Sequence, residues 1–228
     1  MKKWGIIIVE ICRRFTKMEN YRTIKKNGIH EIDIKKSRFI CHLKRVNTEE
    51  EAIAFIDDIK KEHWKATHNC SAYTLGMNDE IQRAHDDGEP SGTAGVPMLE
   101  IFLKRDLKNV AAVVTRYFGG VKLGAGGLIR AYGGSVNEAV KEIGMIERQL
   151  QLLIDVTVSY SQSGGVEHSL RQAHYTVQDI SYTDNVTFHC VVPVEDEEIF
   201  KNDVINWTSD DADITVGKKA WIEVDVSE

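Results

Sequence analysis

Residues 116–132, RYFGGVKLGAGGLIRAY, combine the ingredients of an anion site. A phosphate is held by backbone N–H groups that approach it closely and by positive charge beside them. Gly124, Gly126 and Gly127 remove the Cβ atoms that block such an approach, and Lys122 and Arg130 add full charges. A helix that starts at these glycines contributes the partial positive charge of its N-terminus. Arg116 and Tyr117, at the end of the preceding apolar run, offer a guanidinium fork and a stacking ring. Arg83, further upstream, completes the set of candidate nucleic-acid or anion-binding residues. The string is not a named nucleotide motif, since GxxxxGK[ST] is absent and G-x-G-G lacks the remaining context of a dinucleotide fingerprint. Glycines that only permit a tight strand-to-helix turn would give the same pattern.

A second cluster holds His68, Asn69, Cys70 and Tyr73, then Arg83, His85, Asp86, Asp87 and Glu89, then Ser91 and Thr93. Asp86, Asp87 and Glu89 are of the type that binds Mg²⁺. Cys70 or Ser91 has the chemistry of a nucleophile, with His68 or His85 as base. Each also has a reading without chemistry: an acidic turn at Asp87-Gly88, a strand-buried cysteine, and a hydroxyl capping a helix. No metal-ligand spacing or base pairing is evident, so no catalytic residue, metal or cofactor is assigned. His63-Trp64 reads as a helix C-cap and core plug. Later in the chain, His168, His174 and His189 are scattered, and Glu195 to Glu198 reads as an acidic, dipole-matched helix start.

The elements that must carry these residues follow from periodicity. Arg22 to Val46 alternates as strands around a turn at Asn27-Gly28 and reads as a hairpin or meander. Thr48 with Glu51 forms a capping box, and Ala52, Ile53, Phe55, Ile56 and Ile59 follow at helical spacing to about His63. Asn69–Met77 returns to strand character, and the loop DDGEPSGTAGVP leads to a helix near Met98–Arg105. NVAAVVTRYF, residues 109–118, is apolar enough for a strand buried on both faces. Leu128, Tyr132, Val136, Val140 and Ile143 mark a long helix ending at Gly144.

Beyond it the pattern is strand 151–159, helix from a Ser163 cap through Tyr175, strands 176–183 and 186–194, helix 195–206, and strand 213–226. This is the β-α-β-β-α-β order of ferredoxin-like domains. The fold class expected is therefore α+β, with a β-rich N-terminal domain over 18–146 and a ferredoxin-like domain over 147–228.

Composition limits the classes. Four cysteines without a CxxC pair suggest neither a disulfide framework nor a zinc knuckle, which fits a reducing, cytoplasmic compartment. The apolar stretch Gly5–Ile11 is too short to span a bilayer, so no membrane partner is expected. Residues 1–17 break the pattern and read as a non-native or disordered extension, with translation expected to start at Met18. Residues 146–228 carry 5 basic and 16 acidic side chains, a net of −11, so any nucleic-acid contact must come from a local patch.

SRFI at 37–40, HNCSAY at 68–73, DDGEPSGTAG at 86–95 and VVTRYFGGVKLGAGGLIRAY at 113–132 together resemble the YigZ/IMPACT family. The resemblance covers residues 20–145, and the tail is similar to the small C-terminal domain of the bacterial members. It implies a first domain like that of a ribosomal small-subunit protein and a second like ferredoxin-like domains of elongation factors. It further implies a translation-associated regulator, as the eukaryotic member is, with RNA or the ribosome as partner. A protein-interaction module regulating translation or stress signalling is the alternative, and a Mg-dependent enzyme on a phosphorylated small molecule a second. The oligomeric state stays open.

Overall fold

The computed structural model describes residues 20–226. The expected extension over 1–17 and start at Met18 lie outside the described residues. The described chain divides into two compact units, Tyr21–Arg148 with 223–226, and Gln149–Ile222 with Asn20.

The first unit contains β1 (Tyr21–Ile24), β2 (Gly28–Ile34), β3 (Ser37–Arg45), α1 (Glu49–Glu62), β4 (His68–Leu75), β5 (Ile81–His85), α2 (Gly95–Lys104), β6 (Val110–Tyr117) and α3 (Ala125–Ile143). Its sheet has the order β2-β3-β6-β4-β5, antiparallel throughout. The central strand β6 is buried on both faces, as its apolar run predicts. Val110, Ala112 and Val114 pack with Met98, Phe102, Leu128, Tyr132 and Val136 from α2 and α3. Ala111 and Val113 pack with Ala52, Phe55, Ile56 and Ile59 from α1. One sheet thus lies between helices on either side, and each helix buries one apolar stripe.

Local signals explain the element ends. Thr48 accepts the Glu51 amide at 3.2 Å and Glu51 reaches back to the Asn47 amide at 2.7 Å, so the predicted capping box forms with its carboxylate one residue earlier. Gly144, at φ 85, ends α3. The β2–β3 hairpin turns at Lys35-Lys36, with φ 47 and 67, not at Asn27-Gly28. Both central residues at positive φ make the type I′ geometry that matches strand twist. The opening strand also departs from a meander: β1 pairs with Met145–Arg148, far along the chain.

The second unit takes up β7 (Met145–Val158) from Gln149 onward, then α4 (Tyr160–Gln172), β8 (Thr176–Tyr182), β9 (Val186–Pro193), a short 3₁₀ turn, α5 (Glu197–Thr208) and β10 (Asp213–Val226) to Ile222. β9 sits between β7 and β8, antiparallel to both, and β10 pairs on the other side of β7. This is the split βαβ arrangement of a ferredoxin-like domain. Leu152, Ile154, Val156, Phe188, Cys190 and Phe200 form its core. α4 starts four residues earlier than expected for a Ser163 cap, with Ser159 at its N-cap. The expected boundary at 146/147 falls inside β7, and 223–226 of β10 belong with the first unit.

Candidate functional site

Alternation along β6 decides which candidate side chains meet. Even-numbered positions face α2 and α3 and odd-numbered ones face α1, so Arg116 and Tyr117 point to opposite faces. They are not brought together as a fork and ring. Tyr117 hydroxyl lies 3.0 Å from His63 Nδ1, and the Arg38 guanidinium covers its ring at 4.8 Å. Arg83 sits on β5, paired with Glu49 at 3.2 Å, and lines a groove with Ile53, Ile56 and Lys60 of α1. It too is on the α1 face.

Arg116 is 5% exposed, and its Nη1 donates to Glu89 Oε1 at 2.6 Å. Tyr132 hydroxyl, from α3, donates to the same oxygen at 2.8 Å. Glu89 is itself 8% exposed. The guanidinium lies 5.5 Å from the Phe39 ring and 5.4 Å from that of Phe118, within cation–π range. Arg116 Nε has no hydrogen-bond partner among the described residues. Removing two charges from water costs several kcal/mol per ion, which pairing alone about repays. A buried pair of this kind is therefore weak as a stabilising device and calls for another reason.

His68 stands opposite Arg116 across the β4–β6 ladder. Its Nδ1 is 2.9 Å from the Asp87 carbonyl oxygen. A carbonyl only accepts, so Nδ1 carries the proton, and Nε2 turns toward Glu89 Oε1 at 3.8 Å.

These groups line a cavity of about 360 Å³. His68, Glu89, Arg116 and Lys122 contribute polar atoms, and Pro90, Phe118, Leu123 and Leu128 apolar surface. Thr67, and Gly124 and Ala125 at the start of α3, complete the lining. Gly124 has φ 71, a conformation that favours glycine, and it caps α3 without a side-chain hydrogen bond. The first turn of α3 holds no acidic residue, unlike that of α1 with Glu49, Glu50 and Glu51. Its leading N–H groups are thus free of side-chain competition. Of the glycine-loop candidates, Lys122 and Gly124 line the cavity. Gly126, Gly127 and Arg130 follow in the first turns of the helix, and Arg130 is exposed.

The acidic turn resolves into three separate tasks. Asp86 accepts the amides of Gly92, Ala94 and Gly95 at 2.7, 3.0 and 2.9 Å, fixing the entry to α2. Burial pushes its carboxyl up, but these three amides outweigh that and hold it below the usual carboxylate range. The cap expected from Ser91 or Thr93 is therefore supplied from β5's end, while Thr93 hydroxyl donates to the Pro90 carbonyl. Asp87 takes the Asn69 amide at 2.7 Å and Lys60 at 2.8 Å. With Glu89 on Arg116 and Tyr132, the three carboxylates do not converge as a Mg²⁺ site would require. Among the described residues no three His, Cys, Asp or Glu are grouped to hold a metal ion.

Cys70 is buried, and that burial pushes its thiol up to about 12, so it stays protonated rather than nucleophilic. His63 is the C-cap of α1, as its position suggests. Trp64 is not a core plug: at 73% exposure it faces solvent, because α1 ends before its side chain can turn inward.

The second unit contains a constellation that reading along the chain missed. His189 Nδ1 is 2.7 Å from Asp155 Oδ1, and His189 Nε2 is 2.8 Å from Ser181 Oγ. The three come from β7, β9 and β8, and only the β-pairing makes them neighbours.

The architecture defines a two-unit α+β protein whose first unit carries an internal polar group beside a cavity and whose second is ferredoxin-like. Residues 35–140 match the Impact N-terminal domain, and residues 156–210 match a domain of unknown function, DUF1949. The chain is 52% identical over 206 residues to the IMPACT family member YvyE of Bacillus subtilis (strain 168), covering 90% of this chain and 95% of that protein. It is 37% identical to the IMPACT family member YigZ of Escherichia coli (strain K12), covering 71% and 80%. A solved structure titled "Crystal structure of an hypothetical protein" superposes with a TM-score of 0.56 at 30% identity, covering 88% of this chain and 98% of that one. The chain belongs to the IMPACT family. Among its described residues no helix is long and apolar enough to cross a membrane.

Proposed function

We propose that this protein is a cytoplasmic, translation-associated regulator that binds RNA, on the ribosome, through the cavity at the start of α3. The observation that carries the reading is a convergence on one cavity. The N-terminus of α3, without a side-chain cap bond or an acidic residue, the Lys122 ammonium and the Phe118 ring all border it. Helix N–H groups with an adjacent lysine suit a phosphate, and Phe118, 46% exposed, suits a base that has left its stack. Arg130, one turn into the helix, adds charge for a neighbouring phosphate. Arg116 acts in this reading by holding Glu89 rather than by touching phosphate. A local site of this kind is compatible with an acidic chain, because it does not need a broad basic surface.

A second reading rests on a different feature of the same segment. Phe118, Val121 and Ile129 are 46, 39 and 44% exposed, which is the composition of a protein-docking surface. The Protein IMPACT homolog of Saccharomyces cerevisiae (strain ATCC 204508 / S288c) is 37% identical over 93 residues, covering 39% of this chain and 35% of that protein.

Co-sedimentation with purified ribosomes across a salt series separates the two. The RNA reading expects a steep log–log salt dependence, with the slope reduced by about one unit per phosphate contact removed in Lys122→Ala/Arg130→Ala. A shallow slope unchanged in that variant points to the protein-docking surface instead. Absence of wild-type binding at every salt concentration sinks the ribosome reading.

A further inference from the structure

We infer that the cavity is a guanine-selective nucleotide subsite, in which Glu89 and His68 read the base while the start of α3 and Lys122 hold its phosphate. The inference rests on the RNA reading above and names the base that the site takes.

The argument starts from lone pairs. Glu89 Oε1 already receives Arg116 Nη1 and Tyr132 hydroxyl. Oε2 has no hydrogen-bond partner among the described residues, although the side chain is 4% exposed and lines the cavity. It is an oriented acceptor available to a ligand, since Arg116 and Tyr132 fix the plane of the carboxylate. His68 supplies the second acceptor. Its Nδ1 proton is committed to the Asp87 carbonyl, so in the neutral ring Nε2 presents a lone pair, 3.8 Å from the same carboxylate.

Two neighbouring acceptors select a ligand edge with two neighbouring donors. On the Watson–Crick edge, guanine offers N1–H beside the N2 amino group. Adenine and cytosine each offer one amino donor beside a ring acceptor, and uracil one N–H between two carbonyls. Only guanine meets both acceptors with donors, whereas each other base sets an acceptor of its own against one of them, leaving a buried polar group unmatched. The apolar remainder of the lining, Phe118, Leu123 and Leu128, takes the faces of the ring. The volume of about 360 Å³ lies in the range of small-ligand sites.

A guanine with its phosphate can come from RNA or from a free nucleotide, and the test separates them. Fluorescence anisotropy would compare short uridine oligomers carrying one guanine, inosine, adenine or cytosine at the same position, with GMP as competitor. The guanine oligomer is expected to bind about tenfold more tightly than the inosine one, which lacks only the N2 amino donor. In Glu89→Gln the amide oxygen keeps the Arg116 and Tyr132 bonds, and an NH₂ donor takes the place of Oε2. The guanine preference should then vanish while the salt slope stays. His68→Ala should lower the preference without the buried-pair disturbance that a Glu89 variant carries. Equal binding of all oligomers by the wild type overturns the guanine site and leaves the RNA reading standing. Guanine-selective binding of GMP with no oligomer binding keeps the site and removes RNA as its source. Silence in every arm removes both.

Discussion

The first unit buries the charged side chains of Glu89, Lys108 and Arg116, whereas the buried polar residues of the second, Gln151 and Thr208, carry no charge. The second unit also brings together Ser181, His189 and Asp155, at distances familiar from hydrolytic triads. Yet His189 and Asp155 side chains are 35 and 45% exposed, on a sheet face open to water. Glu89 and Arg116 side chains are 4 and 6% exposed beside a cavity. The distinction lies in the medium rather than in the list of residues. Water screens and competes with an exposed relay, but a buried carboxylate oriented by two donors keeps its full directional preference for whatever enters. The second unit reads as a packed ferredoxin-like scaffold, and the first as the unit that carries the site.

The sharpest way to break this contrast is to leave Glu89 without its partner. Arg116→Met removes the guanidinium and strands a buried carboxylate, and should cost about 3–5 kcal/mol. Urea denaturation followed by circular dichroism measures it. Adding Glu89→Leu should recover most of that loss, because a well-packed apolar pair is about as stable as a buried ionic one. A loss below about 1 kcal/mol in the single variant would mean that water reaches Glu89 and that the first unit is no different from the second.

A smaller effect concerns the loop that carries Glu89. Asp86 fixes this loop to the start of α2, and its carboxyl is held below its ordinary value once the amides outweigh burial. Asp87 behaves likewise, with burial opposed by Lys60 and the Asn69 amide. A depressed folded pKa gives stability that is complete above the unfolded value, near 4, and is lost as pH falls through the folded value. The first unit should therefore lose stability below about pH 4. Asp86→Asn should cost about 1 kcal/mol at pH 7 and flatten that acid limb. Thermal melts between pH 2.5 and 7 test this, and an unchanged limb in the variant would assign the acid sensitivity elsewhere.

Much of the frame was legible along the chain because it is written in local periodicity. The capping box at Thr48, the strand buried on both faces within the 109–118 run, the stop at Gly144 and the βαββαβ order all depend on near neighbours. What stayed hidden depends on pairing between distant strands. His68 meets Arg116 only through the β4–β6 register, and Glu89 meets Tyr132 only because α3 packs over that sheet face. Period-2 alternation was available as a signal and separates Arg116 from Tyr117, two residues that composition alone groups together. The hairpin at Lys35-Lys36 was missed because two lysines at positive φ carry no turn signature, while Asn27-Gly28 does.

The smallest effect decides what the glycines of α3 are for. A Cβ at Gly126 would meet only Arg130 Nη1, at 3.7 Å, and one at Gly134 would meet nothing within 4 Å. Both positions are helical, so alanine at either should raise stability by about 0.4–1 kcal/mol through the entropy of the unfolded chain. The two substitutions differ in where the new methyl sits. At 126 it stands in the first turn, beside Arg130 Nη1 and next to the N-terminal residues that line the cavity, and at 134 it lies more than two turns away. If the glycines serve only the strand-to-helix turn, both variants gain stability and sediment with ribosomes as the wild type does. If the start of α3 holds a phosphate, Gly126→Ala gains the same stability and loses binding, while Gly134→Ala keeps it. A stability gain coupled to a binding loss at one glycine alone cannot come from misfolding, which makes this pair the finest discriminator between a turn and a site.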